Sequence, residues 1–484
     1  MPDNQVTIVG AGFGGLSAAL VLASQGMQVT VFESAKDPGG KARNIDGVAA
    51  GPTVLTMRDV FDDLFARFGE RLDDHVRLTK AELLARHFWD GYASLDLFAD
   101  HERSRDAIGV FAGARAAQGF DNFSAEARRI FETLDAPFIR GRTTNPLGLS
   151  WRIGLSRLAQ LWGIKPWEPL WTALGRHFDD PRLRQLFGRY ATYSGSSPFQ
   201  APATLMLIAH VEASGVWMIE GGVQKLASAL ADLAARNGVR FRYSEEWRGP
   251  AQGRTIFNGD PGALSSPLPP RHRSLSAMVW TGRAECGEYP LAHHNVFFSH
   301  DYRAEFDAIR NGSLPADPTV YVCAQDRDGS ATPSAPAQDR LQFIVNAPAE
   351  GDRHVYGQEE RQSCQIAILE RFAKSSFSIN MEQGQFTTPS DFETHFPGSG
   401  GTLYGRATHG SMAAFRRPGP RTRTPGLYLT GGATHPGAGV PMAALSGLQA
   451  ASALLEDRAS TRRLYRVAMP GGTSTRSAMT GSTA

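Results

Sequence analysis

The stretch from Gln5 to Glu33 reads Q-V-T-I-V, then G-A-G-F-G-G, then L-S-A-A-L-V-L-A-S-Q-G-M, then Q-V-T-V-F-E. A β-branched apolar run leads into glycines at Gly10, Gly12 and Gly15, an Ala/Leu-rich helix that stops at Gly26, and a second strand ending in an acid. Strand, G-x-G-x-x-G, helix, strand, acid is a complete βαβ pattern for binding a dinucleotide. Gly10 permits the tight turn, Gly12 lets backbone approach a pyrophosphate, and Gly15 lets helix and strand pack closely. The helix start offers free N–H groups and a positive dipole end to phosphate. Glu33 can accept ribose hydroxyl hydrogen bonds and would repel a 2′-phosphate, which argues against NADP.

The residues beyond Glu33 distinguish FAD from NAD. Ser34 to Arg43 read S-A-K-D-P-G-G-K-A-R, a second glycine turn whose Lys41 and Arg43 can wrap the other side of a pyrophosphate. G-P-T-V, 51–54, then returns toward the site. This loop resembles that of the flavoproteins that include amine oxidases and carotenoid desaturases, and it implies FAD.

Near the far end, 426–441 read G-L-Y-L-T-G-G-A-T-H-P-G-A-G-V-P. A strand over Leu427–Leu429 leads to Gly431 and Gly432, and a small-residue helix is expected from Met442 to about Glu456. Pro441 suits a helix start, and the glycine turn before it is a second place to hold a cofactor by backbone amides. The two chain ends thus build one site. His435, in this loop, either faces the flavin or is a backbone-bonded loop histidine.

Composition narrows the function classes. The 484 residues carry 50 basic and 48 acidic side chains, a net charge of +2, and no basic tract long enough to grip nucleic acid. Cys286, Cys323 and Cys364 are scattered without a C-x-x-C pair, so neither a disulfide framework nor a metal site is expected, and a reducing cytosolic compartment fits best. No signal peptide or transmembrane helix is legible.

In the middle of the chain, helical spacing predicts a helix over Asp59–Phe68, a buried helix over Ala203–Ala213 carrying His210 and Glu212, and a helix over Glu359–Ala373. The piece with Trp217 reads as a strand returning to the nucleotide domain, ahead of a long helix and a strand over Val239–Tyr243. Runs at Ser274–Trp280, Asn295–Ser299, Thr319–Cys323 and Leu341–Val345 read as a largely antiparallel sheet roofing a substrate cavity. Four of the eight tryptophans, Trp151, Trp162, Trp167 and Trp171, are interleaved with cations and apolar residues. That segment is either an interfacial membrane helix or a Trp-packed core helix pair.

Together, V-G-A-G-F-G-G-L-S-A-A, P-G-G-K-A, G-P-T-V and T-H-P-G-A-G-V-P resemble the bacterial phytoene desaturase family. The stretches Y-A-T-Y-S-G-S-S-P-F-Q-A-P-A, G-V-W-M-I-E-G-G, N-V-F-F-S, P-T-V-Y-V-C-A-Q-D-R and G-G-T-L-Y-G-R look more narrowly like the hydroxycarotenoid 3,4-desaturases of purple phototrophic bacteria. The resemblance covers nearly the whole chain. It implies an α/β architecture (α+β overall), with a Rossmann-like FAD-binding domain and an inserted substrate domain of antiparallel sheet plus helices. The expected division is 1–75, 215–262 and 403–468 for FAD, 76–214 and 263–402 for substrate and membrane association, and a disordered tail over 469–484.

It further implies oxidation of a CH2–CH2 unit at C3–C4 of a 1-hydroxy acyclic carotenoid, on the routes to spheroidene and spirilloxanthin. Oxygen or quinone would be the electron acceptor, and the protein would sit peripherally on the cytoplasmic side of the inner membrane. By motif match Gly10, Gly12, Gly14, Gly15, Glu33, Gly40, Lys41, Gly432 and Val440 would line the FAD. An allylic C–H that leaves as hydride yields a cation delocalised over the polyene, so little help from charged side chains is required. His435 and Glu220 are the candidates for a base that takes the following proton. Other carotenoid desaturases and a flavin-free isoprenoid-binding protein of the same fold are the alternatives. Two departures stand out. The chain after Tyr243 is too short for the family's usual β-meander, through a true deletion or a sequence error, and Ala433 stands where related flavoproteins have an acid.

Overall fold

The computed structural model describes residues 4–467, apart from 92, 143–145, 147, 150–162, 250–252, 333 and 382–383. Its first sheet is parallel, with the order Leu427–Leu429, Arg254–Phe257, Gln5–Val9, Gln28–Glu33 and Arg240–Tyr243. Three separated parts of the chain therefore share one sheet. The β-branched residues set this up: Val6 and Ile8 alternate inward along the central strand, and Val29 and Val31 do so on its neighbour.

The helix Phe13–Ser24 follows the glycine turn and is buried from Phe13 through Leu22 on every face. It has no polar stripe because the sheet covers one side and the C-terminal helix, Val440–Val467, covers another. Each of Leu16, Leu20 and Leu22 is fully buried, worth about 1.5–3 kcal/mol apiece. The C-terminal helix begins two residues earlier than the sequence suggests and runs past Glu456.

A seven-stranded sheet forms the second layer: Gly384–Thr387, Ser276–Ala284, Asp339–Ala347, Val320–Ala324, His294–Phe297, Leu83–Phe88 and Ser94–Phe98. All neighbours are antiparallel except His294–Phe297 against Leu83–Phe88. Its two faces do different work. Val322, Phe343 and Val345 pack with Ile368 and Phe372 of the helix Gln358–Ala373. Tyr321 and Ile344, paired across the ladder, and Gln342 face a cavity.

Several expectations are revised. Trp217–Ile219 does not join the nucleotide sheet; it pairs antiparallel with Leu78–Lys80 in a separate two-stranded ladder. The helix expected over Ala203–Ala213 splits into a 3-10 turn, Ala203–Met206, and an α-helix, Leu207–Ser214. The sequence reading missed the helices His101–Ala112 and Ala114–Leu134, which supply much of the core beside the cavity. Of the tryptophan cluster, Trp151 and Trp162 lie outside the described residues, as does the tail over 469–484. Trp171 packs against Phe199, and Trp167 is exposed. Among the described residues no helix is long and apolar enough to cross a membrane.

Candidate functional site

One cavity of about 1000 Å³ joins the glycine loop, the turn after Glu33, the 431–443 loop and the inner face of the large sheet. The Phe13–Ser24 helix enters it at its N-terminus with Gly12 as N-cap, no side-chain cap and no acid in the first turn. Its first amides are therefore free for an anion. The start of the Val440–Val467 helix, also without an acid in its first turn, lines the same space.

Of the residues expected at FAD, Gly10, Gly12, Gly14, Glu33, Gly40, Lys41, Gly432 and Val440 border this cavity. Gly15 lies behind it. A Cβ there would sit 2.1 Å from the Gly10 carbonyl oxygen, so glycine is what lets the helix close against the strand end. Glu33 is buried; one carboxylate oxygen accepts from Ala11 N–H at 2.7 Å and the other from Ala35 N–H at 2.8 Å. The oxygen bonded to Ala35 also accepts from the Ser34 hydroxyl at 3.4 Å, and the oxygen bonded to Ala11 keeps a further lone pair for a ribose hydroxyl.

Lys41 reaches across the cavity and donates from Nζ to the carbonyls of Thr402 and Leu403, at 2.9 and 2.6 Å. Burial lowers its pKa to about 8, against the opposing pull of the Asp260 carboxylate. Burial in turn raises the pKa of Asp260. Asn258, missed in the sequence, donates to Gly10 O at 3.2 Å and lies under Gly12, Gly14 and Gly431. The signal was available, since Asn258 directly follows the strand that returns to the centre of the sheet. No strand intervenes between Tyr243 and Arg254 among the described residues.

The two base candidates fall outside the cavity lining. His435 is buried and directs Nε2–H at the carbonyls of Phe138 and Gly141, at 3.0 and 2.9 Å. Burial lowers its pKa, its Nδ1 has no partner among the described residues, and the ring pins the 138–141 turn. That is the backbone-bonded alternative. Glu220 is on the surface in a 3.5 Å ion pair with Arg77. The structure does not bring this base candidate to the site: it follows the outlying Trp217–Ile219 strand and is not among the residues that line the cavity.

Another part of the cavity is apolar along Leu205, Ile208, Val211, Leu275 and Ile344, and polar at one corner. There Glu212 accepts from Tyr190 and Tyr193 at 2.5 and 3.1 Å, and burial raises its pKa. Residues 8–58 match the NAD(P)-binding Rossmann-like domain family. A hydroxyneurosporene desaturase of Rubrivivax gelatinosus is 45% identical over 99% of this chain and 98% of its own length. The chain belongs to the carotenoid desaturase family of phototrophic bacteria.

Members of this family are oxidoreductases acting on CH–CH groups, and a cavity with an apolar wall suits such a carotenoid desaturase. A 1-hydroxycarotenoid 3,4-desaturase of Flavobacterium is 27% identical over 92% of this chain and 97% of its own. A putrescine oxidase variant shares the fold, with a TM-score of 0.56, 14% identity, and coverage of 94% of this chain and 99% of the other.

Proposed function

We propose that this carotenoid desaturase uses FAD to introduce the C3–C4 double bond into 1-hydroxy acyclic carotenoids of the 1-hydroxyneurosporene or rhodopin type. The carrying observation is the single cavity in which two helix starts without an acid in the first turn, and Glu33, meet an apolar wall with a polar corner. The desaturase names of full-length relatives support the substrate class.

The residues fit the dinucleotide. Glu33 would hold the adenosine ribose, the amides at Phe13 and Gly14 the pyrophosphate, and Lys41, Gly432 and Val440 the far wall. Bound FAD supplies a two-electron acceptor for hydride. The chain's own work is to orient and to exclude water. Leu205, Ile208 and Ile344 hold the polyene straight against the site, and burial keeps the allylic cation from being quenched. That cation is spread over the polyene, so the neighbouring proton is acidic enough to leave to the reduced flavin or a weak base, completing the double bond, and no carboxylate need be aimed at one carbon. We assign His435 to holding the 138–141 turn.

The strands of the parallel sheet support an FAD domain of 1–75, 215–262 and 403–468, with 76–214 and 263–402 as the substrate domain. The apolar substrate supports a peripheral membrane position, and oxygen or quinone would accept the electrons. Expression with 1-hydroxyneurosporene tests the reading: the absorption bands move to longer wavelength by one conjugated double bond. Unchanged bands overturn it.

A further inference from the structure

The polar corner of the cavity holds more hydrogen-bonding capacity than a hydrocarbon can use. Arg189, Tyr193, Tyr302 and Tyr321 all line it. Arg189 lies against the rings of Tyr193 and Tyr321, at 5.3 and 5.1 Å, and donates to Tyr193 Oη at 3.2 Å. Among the described residues this is the guanidinium's one hydrogen bond, so it has further N–H donors to offer a ligand in the cavity it lines.

The hydroxyls around it are unequal. Tyr193 is engaged by Glu212 at 3.1 Å, and Tyr321 by Thr53 at 2.6 Å and His294 at 2.7 Å. Among the described residues Tyr302 Oη has no partner, although the residue is only 6% exposed. Its ring is set by Phe306 and Trp171, at 5.1 and 6.2 Å, and it lines the same cavity as Arg189. A buried hydroxyl left unmatched costs about 1–3 kcal/mol, and phenylalanine would pack as well without that cost. A ligand that brings a hydrogen-bonding group to this point removes the cost.

We infer that Arg189 and Tyr302 are the docking point for the tertiary C1 hydroxyl of the carotenoid substrate. The hydroxyl oxygen accepts from an Arg189 N–H, and the alcohol and Tyr302 Oη share a second hydrogen bond. This rests on the hydroxycarotenoid reading given above and names the residues that select for it. The corner's position fits the chemistry. Tyr321 joins it through Thr53 to the 51–54 loop, which packs on Lys41 at the cofactor wall. An anchor there holds C1 beside that wall, and C3 is two bonds away along the chain. A carotenoid lacking the hydroxyl leaves both groups desolvated and unpaired, which is how a site discriminates most strongly.

The test compares binding of 1-hydroxyneurosporene and neurosporene to the purified FAD-loaded protein, read from the carotenoid band shift and tryptophan quenching. Wild type should prefer the hydroxylated ligand by at least about tenfold, and Tyr302→Phe and Arg189→Met should each cut that ratio to about twofold. Tyr302→Phe deletes an oxygen with no protein partner, so a merely structural role predicts an unchanged ratio. Equal wild-type affinities, or an unchanged ratio in Tyr302→Phe, overturn the proposal. Wild-type turnover is scored separately. Preference without turnover sinks the desaturation reading and leaves the docking point standing; turnover without preference sinks the docking point alone.

Discussion

The carboxylate of Glu33 accepts a 2.7 Å hydrogen bond from the backbone N–H of Ala11, inside the glycine loop. One side chain thus shapes the loop and offers acceptors to a ribose. Glu33→Ala removes both roles, and Glu33→Gln places an amide N–H against one of two backbone donors. Both variants should purify with less flavin, with FAD affinity reduced at least about fivefold, and Glu33→Ala should lose about 1–3 kcal/mol of stability. Titration with FAD and thermal unfolding check this.

Lys41 gives a pH signature. Its folded pKa is about 8 against an ordinary 10.5, so the unfolded chain binds more protons between those values. Stability therefore rises with pH through that window, and below it the full cost of burying the ammonium is present. Lys41→Met lacks this behaviour. Relative to that variant, wild type should gain about 1–3 kcal/mol between about pH 7 and about pH 9.5, read from unfolding at each pH. A pH-independent difference would count against a buried ammonium.

Gly447 carries the contact between the first and last helices. A Cβ there would stand 2.1 Å from the Gly14 carbonyl oxygen. Gly447→Ala should push the helices apart, at a cost of about 1–3 kcal/mol. Because Gly14 borders the cavity, flavin content should fall in parallel, and the flavin-to-protein absorbance ratio reports it.

The two sequence-nominated bases should behave differently. Glu220→Gln should leave stability within about 0.5 kcal/mol and turnover unaltered, since the group is at the surface. His435→Ala leaves the Phe138 carbonyl without its donor, while Gly141 keeps Gln449 Nε2 at 2.9 Å, and should cost about 1–3 kcal/mol. Its turnover should show no new pH dependence, which steady-state assays across pH would reveal.

The nucleotide half of this molecule was readable because its signals are local. Glycines at Gly10, Gly12 and Gly15, an acid at Glu33 and the P-G-G-K turn act within one βαβ unit, so spacing alone places them. Strands such as Leu427–Leu429 and Val320–Ala324 announced themselves by short β-branched or apolar runs. The polar corner was not readable, because Arg189, Tyr302 and Tyr321 meet only when a helical layer closes over the sheet. Trp217–Ile219 misled for the same reason: a three-residue strand carries no information about its partner. Glu220, next in sequence, lies outside the cavity lining with it.

The central claim is that one cavity holds FAD beside a carotenoid and that the pair exchange a hydride. The most direct measurement mixes purified FAD-loaded protein with 1-hydroxyneurosporene under anaerobic conditions and follows the flavin and polyene bands together. Loss of the oxidised flavin band in step with appearance of a polyene longer by one double bond is the predicted result. A colourless protein that cannot take up FAD, or a flavin band that persists beside an unchanged polyene, would contradict it.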